Sequence, residues 1–104
     1  MIRALKTMQV GTAERGMILE YRSEWGQYFY KVGRDGEVDK GQPYDPPNGA
    51  LVRFLPAISS AIHMAVILTE QIAEWDGEAF AIRGISPLRV GVDWLGQGTR
   101  FEVL

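Results

Sequence analysis

Apolar and polar residues alternate in short runs along most of this chain, and a single longer run breaks that rhythm. Met17 to Arg22 and Tyr28 to Val32 are rich in aromatic and branched residues and are separated by Ser23-Glu24-Trp25-Gly26-Gln27, which predicts a hairpin. Gly33-Arg34-Asp35-Gly36 then turns the chain into a short strand at Glu37-Val38-Asp39. The stretch Gly41 to Gly49 holds Pro43, Pro46 and Pro47, which lack backbone donors, and it reads as a loop presenting Tyr44 and Asp45. Ala50 to Leu55 reads as a strand that stops before Pro56.

The exception runs from Ala57 to Trp75. Wrapped at about 100° per residue, it places Ile58, Ala61, Ile62, Ala65, Leu68, Ile72, Ala73 and Trp75 on one face and Ser59, Ser60, His63, Glu70, Gln71 and Glu74 opposite. That spacing predicts one long helix, with Pro56 at its start and Asp76-Gly77 at its end. Glu78 to Arg83, Leu88 to Trp94 and Arg100 to Leu104 alternate again and predict three more strands. A strand meander, one helix and a second meander joined by short connections imply an α+β two-layer sandwich, with about six mostly antiparallel strands under the helix.

Composition narrows the class of protein. The chain has 104 residues, 46% hydrophobic and 23% charged, which suits a single α+β domain spanning 1–104. The formal net charge is -2 and Lys and Arg form no run, so nucleic acid is a poor partner. The absence of cysteine excludes disulfides and thiolate chemistry. No apolar run approaches the roughly 20 residues of a membrane span, and no signal-peptide core follows the basic start, so the expectation is a cytoplasmic protein away from the membrane.

Candidate chemistry is sparse. His63 stands one helical turn from Ser59 and Ser60, yet a regular helix offers neither oxyanion donors nor a third orienting group. Glu70 and Glu74 share a helix face at the spacing of ordinary solvated carboxylates. One histidine and scattered acids make no metal-ligand pattern, and Gly11, Gly16, Gly96 and Gly98 lack the residues that complete a phosphate or dinucleotide loop. The chain is therefore read as a non-enzymatic binding module without metal or cofactor. Its expected partner is a second copy or another protein; the alternatives are a small-ligand pocket or small enzyme between helix and sheet, and a single-strand nucleic-acid binder through the aromatic sheet face.

The candidate binding residues follow from exposure arguments. Ile67 interrupts the polar stripe beside His63 and needs a cover. Tyr44 and Asp45 sit in the Pro-rich loop. Trp25, Tyr30 and Trp94 are the aromatics that a sheet face left uncovered by a single helix would present.

Overall fold

The computed structural model describes residues 9–56, 70–84 and 88–104. These residues form nine strands of one curled sheet: β1 (Gly11–Thr12), β2 (Ile18–Arg22), β3 (Tyr28–Val32), β4 (Val38–Asp45), β5 (Leu51–Phe54), β6 (Ile72–Trp75), β7 (Ala79–Ile82), β8 (Arg89–Gly91) and β9 (Arg100–Val103). Their order across the sheet is β1-β4-β3-β2-β9-β5-β6-β7-β8. The β1–β4 pair is parallel and the other neighbours are antiparallel, so the sheet is mixed and curls into half a barrel.

This overturns the α+β sandwich of about six strands. Among the described residues the only helical pieces are two three-residue 3-10 turns, Ser23–Trp25 and Val92–Trp94. The end of the expected helix, Ile72–Trp75, is strand β6, hydrogen-bonded to β5 on one side and β7 on the other. The rest of that helix, 57–69, lies outside the described residues. The physical reason is a shared periodicity. Ala73 and Trp75 are buried while Glu74 is exposed and Ile72 half-exposed, an alternation of two that fits inside the wider apolar stripe of a helix. The Asp-Gly pair that reads as a helix stop serves equally as a hairpin turn. Gly77 takes φ 102°, and Asp76 Oδ1 accepts from the N–H groups of Glu78 and Ala79, each at 2.9 Å.

The Pro-rich stretch is also corrected. Gly41 to Asp45 belongs to β4, and Pro43 is buried opposite Tyr30. A proline is tolerated there because the β3–β4 register shifts between Tyr30 and Val32, the kind of irregularity that spares a missing donor.

One face of the curl carries the core. Tyr21, Phe29, Phe54, Trp75, Phe80 and Phe101 interlock with aliphatic residues such as Leu19, Val52 and Val103. Phe29 sits at the centre, with its ring 5.0 Å from Phe101 at 90° and 5.5 Å from Trp75 at 77°. Such edge-to-face pairs add about 0.5–1.5 kcal/mol each beyond the area they bury. The register Tyr21↔Phe29 and Leu19↔Phe101 brings these residues to one face, which leaves Glu20 and Arg22 on the other.

Candidate functional site

The outer face of β2 and β9 is charged and cross-linked. Glu20 pairs with Arg100 across the strands, and its carboxylate, only 5% exposed, lies 2.7 Å from Arg100 Nε and 2.6 Å from Arg22 Nε. The Arg100 contact is an aligned hydrogen bond, whereas the Arg22 contact is one of charge without that alignment. Arg22 reaches on to Glu24 at 2.9 Å, and Arg100 donates to the Gly36 carbonyl at 3.1 Å. Further along β9, Glu102 accepts from Arg53 of β5 at 2.7 Å.

Trp25, one of the expected binding residues, stands at the end of the first 3-10 turn, half-buried. Arg22 lies 4.8 Å and Lys40 5.0 Å from its ring centroid, and Tyr30 packs edge-on at 5.0 Å. Trp25, Arg22, Lys40 and Arg100 line a cleft of about 550 Å³ with Glu24 and Glu37. The carboxylates of Glu20, Glu24 and Glu37 match the cations of Arg22, Lys40 and Arg100 one for one, so the cleft has no excess charge to draw an anion. Its contacts tie β2 to β9 through Glu20 and Arg100, and β4 to the first 3-10 turn through Lys40 and Trp25.

Tyr30 itself is buried. Burial, reinforced by the neighbouring Tyr28 phenol, pushes its hydroxyl above the usual phenol range and keeps it neutral, and it donates to the Trp25 carbonyl at 3.4 Å. With Tyr28 buried as well and Phe29 in the core, β2 and β3 offer no exposed stacking platform for bases.

Tyr44 and Asp45 are half-buried strand residues rather than a presented loop tip. Tyr44 packs against the core, and the Asp45 carbonyl accepts from Ala13 N–H at 2.8 Å. Gly11 of β1 approaches the Tyr44 ring so closely that a Cβ there would lie 3.0 Å from two ring carbons. His63 and Ile67 lie outside the described residues.

Trp94 is different. It closes the second 3-10 turn and is 67% exposed, more than any other large hydrophobic residue described. Beside it Leu88 is 38% exposed, and the two share a shallow cleft of about 290 Å³ with Arg89 and Val90. This apolar surface sits against β8, the last strand of the sheet, which has β7 on one side and no strand on the other among the described residues. Arg89 is anchored back to the β6–β7 turn, donating from Nε and Nη2 to Asp76 Oδ2 at 2.9 and 2.7 Å. Burial alone would raise the proton affinity of Asp76. The N–H groups of Glu78 and Ala79 and the Arg89 guanidinium outweigh it and hold the carboxyl below its usual range.

The structure thus joins Trp25 to Tyr30 at one cleft and leaves Trp94 apart at the far edge, with Tyr44 and Asp45 in neither place. Sequence reasoning missed Leu88, Arg89 and Gly91 as an edge, and Glu20, Arg22 and Arg100 as a cluster. Only the pairing of strands far apart in sequence brings the last group together.

No protein-family model, curated protein or solved structure matches this chain. Among the described residues no helix is long and apolar enough to cross a membrane, and no three histidine or carboxylate side chains converge as metal ligands.

Proposed function

We propose that this chain is a non-enzymatic protein-interaction module that self-associates through the β8 edge. The observation that supports the reading is Trp94, 67% exposed beside Leu88 at a strand whose outer side meets no other strand among the described residues. Tryptophan is enriched at the centres of interfaces and rare as an isolated exposed residue, and an unpaired strand edge is itself a template for another chain.

The magnitudes favour a modest complex. Covering the exposed part of one tryptophan is worth roughly 3 kcal/mol at about 25 cal/mol per Å², and a twofold contact counts it twice. Ordering costs of at least about 4 kcal/mol are set against this, so the two tryptophans alone leave about 2 kcal/mol, and a micromolar complex requires Leu88 and the strand edge to contribute as well.

Light scattering across a concentration series tests the reading. The parent chain should grow in mean mass over micromolar concentrations, and Trp94→Ser combined with Leu88→Ser should hold it monomeric and folded. A parent chain that remains monomeric to millimolar concentration overturns the proposal.

A further inference from the structure

The backbone of β8 specifies which way a second copy would dock. Ile82 N–H donates to the Leu88 carbonyl at 3.0 Å, which fixes the phase of the β7–β8 ladder. In an antiparallel ladder the polar groups of successive residues point to alternate sides, so Leu88 and Val90 turn theirs toward β7. Arg89 and Gly91 turn theirs outward, where no backbone group among the described residues meets their N–H. The Gly91 carbonyl, at the N-cap of the 3-10 turn, accepts within that turn. Among the described residues, the edge groups left without a backbone partner are therefore the N–H and C=O of Arg89 and the N–H of Gly91.

Resting on the self-association reading above, we infer that two copies pair antiparallel along β8 about a twofold axis through Val90. This register sets Arg89 opposite the partner's Gly91, and the two Gly91 N–H groups donate to the two Arg89 carbonyls. A twofold axis through Arg89 would instead oppose two guanidinium groups.

The side chains agree with the first register. Residues directly opposite in an antiparallel pair point to the same face, so Arg89 lies over the space that the partner's Gly91 leaves. In this chain that space holds a carboxylate: Asp93 Oδ1 is 2.7 Å from where a Gly91 Cβ would be. Asp93 is exposed and has no cation within 4.0 Å among the described residues, while Arg89 spends Nε and Nη2 on Asp76 and keeps Nη1 free. The contact is self-complementary, with a cation of each copy facing an anion of the other twice over. Trp94 and Leu88 border the seam in both copies.

Gly91→Pro tests the pairing in the whole chain. Gly91 has φ -75°, already within the proline range, and its N–H makes no ladder bond, so the substitution removes the outward donor and leaves the β7 pairing intact. The exposed Asp93 side chain must rotate aside. The expected result is a monomer with a melting temperature close to that of the dilute parent, while in the parent amide exchange at Gly91 slows as concentration rises.

If Gly91→Pro still dimerises while Trp94→Ser does not, the strand pairing is overturned and the interaction reading survives. If neither substitution changes the mass of an associating parent, both fall. Should Gly91→Pro fail to fold, Asp93→Lys decides, because it touches no ladder bond and places a cation against the partner's Arg89 in two symmetric places. The dimer should weaken at least about tenfold, and unchanged affinity overturns the register.

Discussion

Trp75 and Trp94 both follow an acidic residue, one at the end of a strand and the other at the end of a 3-10 turn, yet one is 1% exposed and the other 67%. Trp75 ends β6, which has β5 and β7 on its two sides, and its ring lies 4.8 Å from Phe80 and 5.5 Å from Phe29. Trp94 follows β8, which has a neighbour on one side only among the described residues. The local sequence does not separate the two tryptophans. Position in the sheet does, and that makes one a keystone of folding and the other a free surface.

The largest effect that can test this contrast is Trp75→Ala. Truncating a fully buried tryptophan removes its transfer free energy and leaves a cavity in the aromatic cluster, at about 3–5 kcal/mol. A chain of this size has about 5–15 kcal/mol to lose, so the urea midpoint should fall by about a fifth or more. A loss below about 1 kcal/mol would mean that the cluster around Phe29 is not the stabilising centre.

A smaller effect is expected at the charged face, where Glu20→Gln keeps the shape of the side chain and removes its charge. Glu20 is 5% exposed, but Arg100 and Arg22 are 19% and 28% exposed, so water relieves part of the lost pairing. The cost should lie at about 1–3 kcal/mol, well under that of a buried pair sealed from solvent. Urea titration of Glu20→Gln beside Trp75→Ala ranks the two faces of the sheet, and the reverse order would make the ion network the dominant support.

What the sequence made legible follows from this contrast. Strands β2, β3, β5 and β9 fall where alternation and turn residues predict them, because each has a clean buried face and a bounding glycine or proline. β6 was hidden because Ile72, Ala73 and Trp75 satisfy a helical stripe and an alternating strand alike, and only pairing with Val52 and Ile82 decides between them. Pro43 argued for a loop because a local rule cannot foresee the register shift that accommodates it. Among the candidate site residues, aromatic character marked Trp25, Tyr30 and Trp94, but their exposure depends on strand order. Glu20 and Arg100, 80 positions apart, meet only through the β2–β9 register.

The edge has its own pH signature. Asp76 has a native pKa below that of the unfolded chain, so it contributes stability at pH above about 3.9, and that contribution is lost as pH falls through the native value. Its side chain is 37% exposed, and screening should keep the neutral-pH effect of Asp76→Asn below about 1 kcal/mol. The difference between parent and variant should shrink as urea midpoints are followed from neutral pH to about pH 3. A difference that stays constant with pH would assign the loss to the turn hydrogen bonds of Glu78 and Ala79 alone.

The smallest effect belongs to Trp94 itself. Because most of its surface already meets water in the single chain, Trp94→Ala removes little that folding had buried, and the stability of the dilute monomer should change by no more than about 0.5 kcal/mol. The same substitution has a large spectroscopic consequence. Of the tryptophans, Trp75 is sealed in the core and Trp25 is covered by Arg22, Lys40 and Tyr30, so Trp94 should supply the fraction of emission most readily quenched by iodide. That fraction should vanish in dilute Trp94→Ala, and in the parent it should become protected as concentration rises and the edge is covered. Quenching that survives the substitution unchanged would show Trp25 to be the exposed ring. Protection that never develops with concentration would leave β8 an open edge with no second copy upon it.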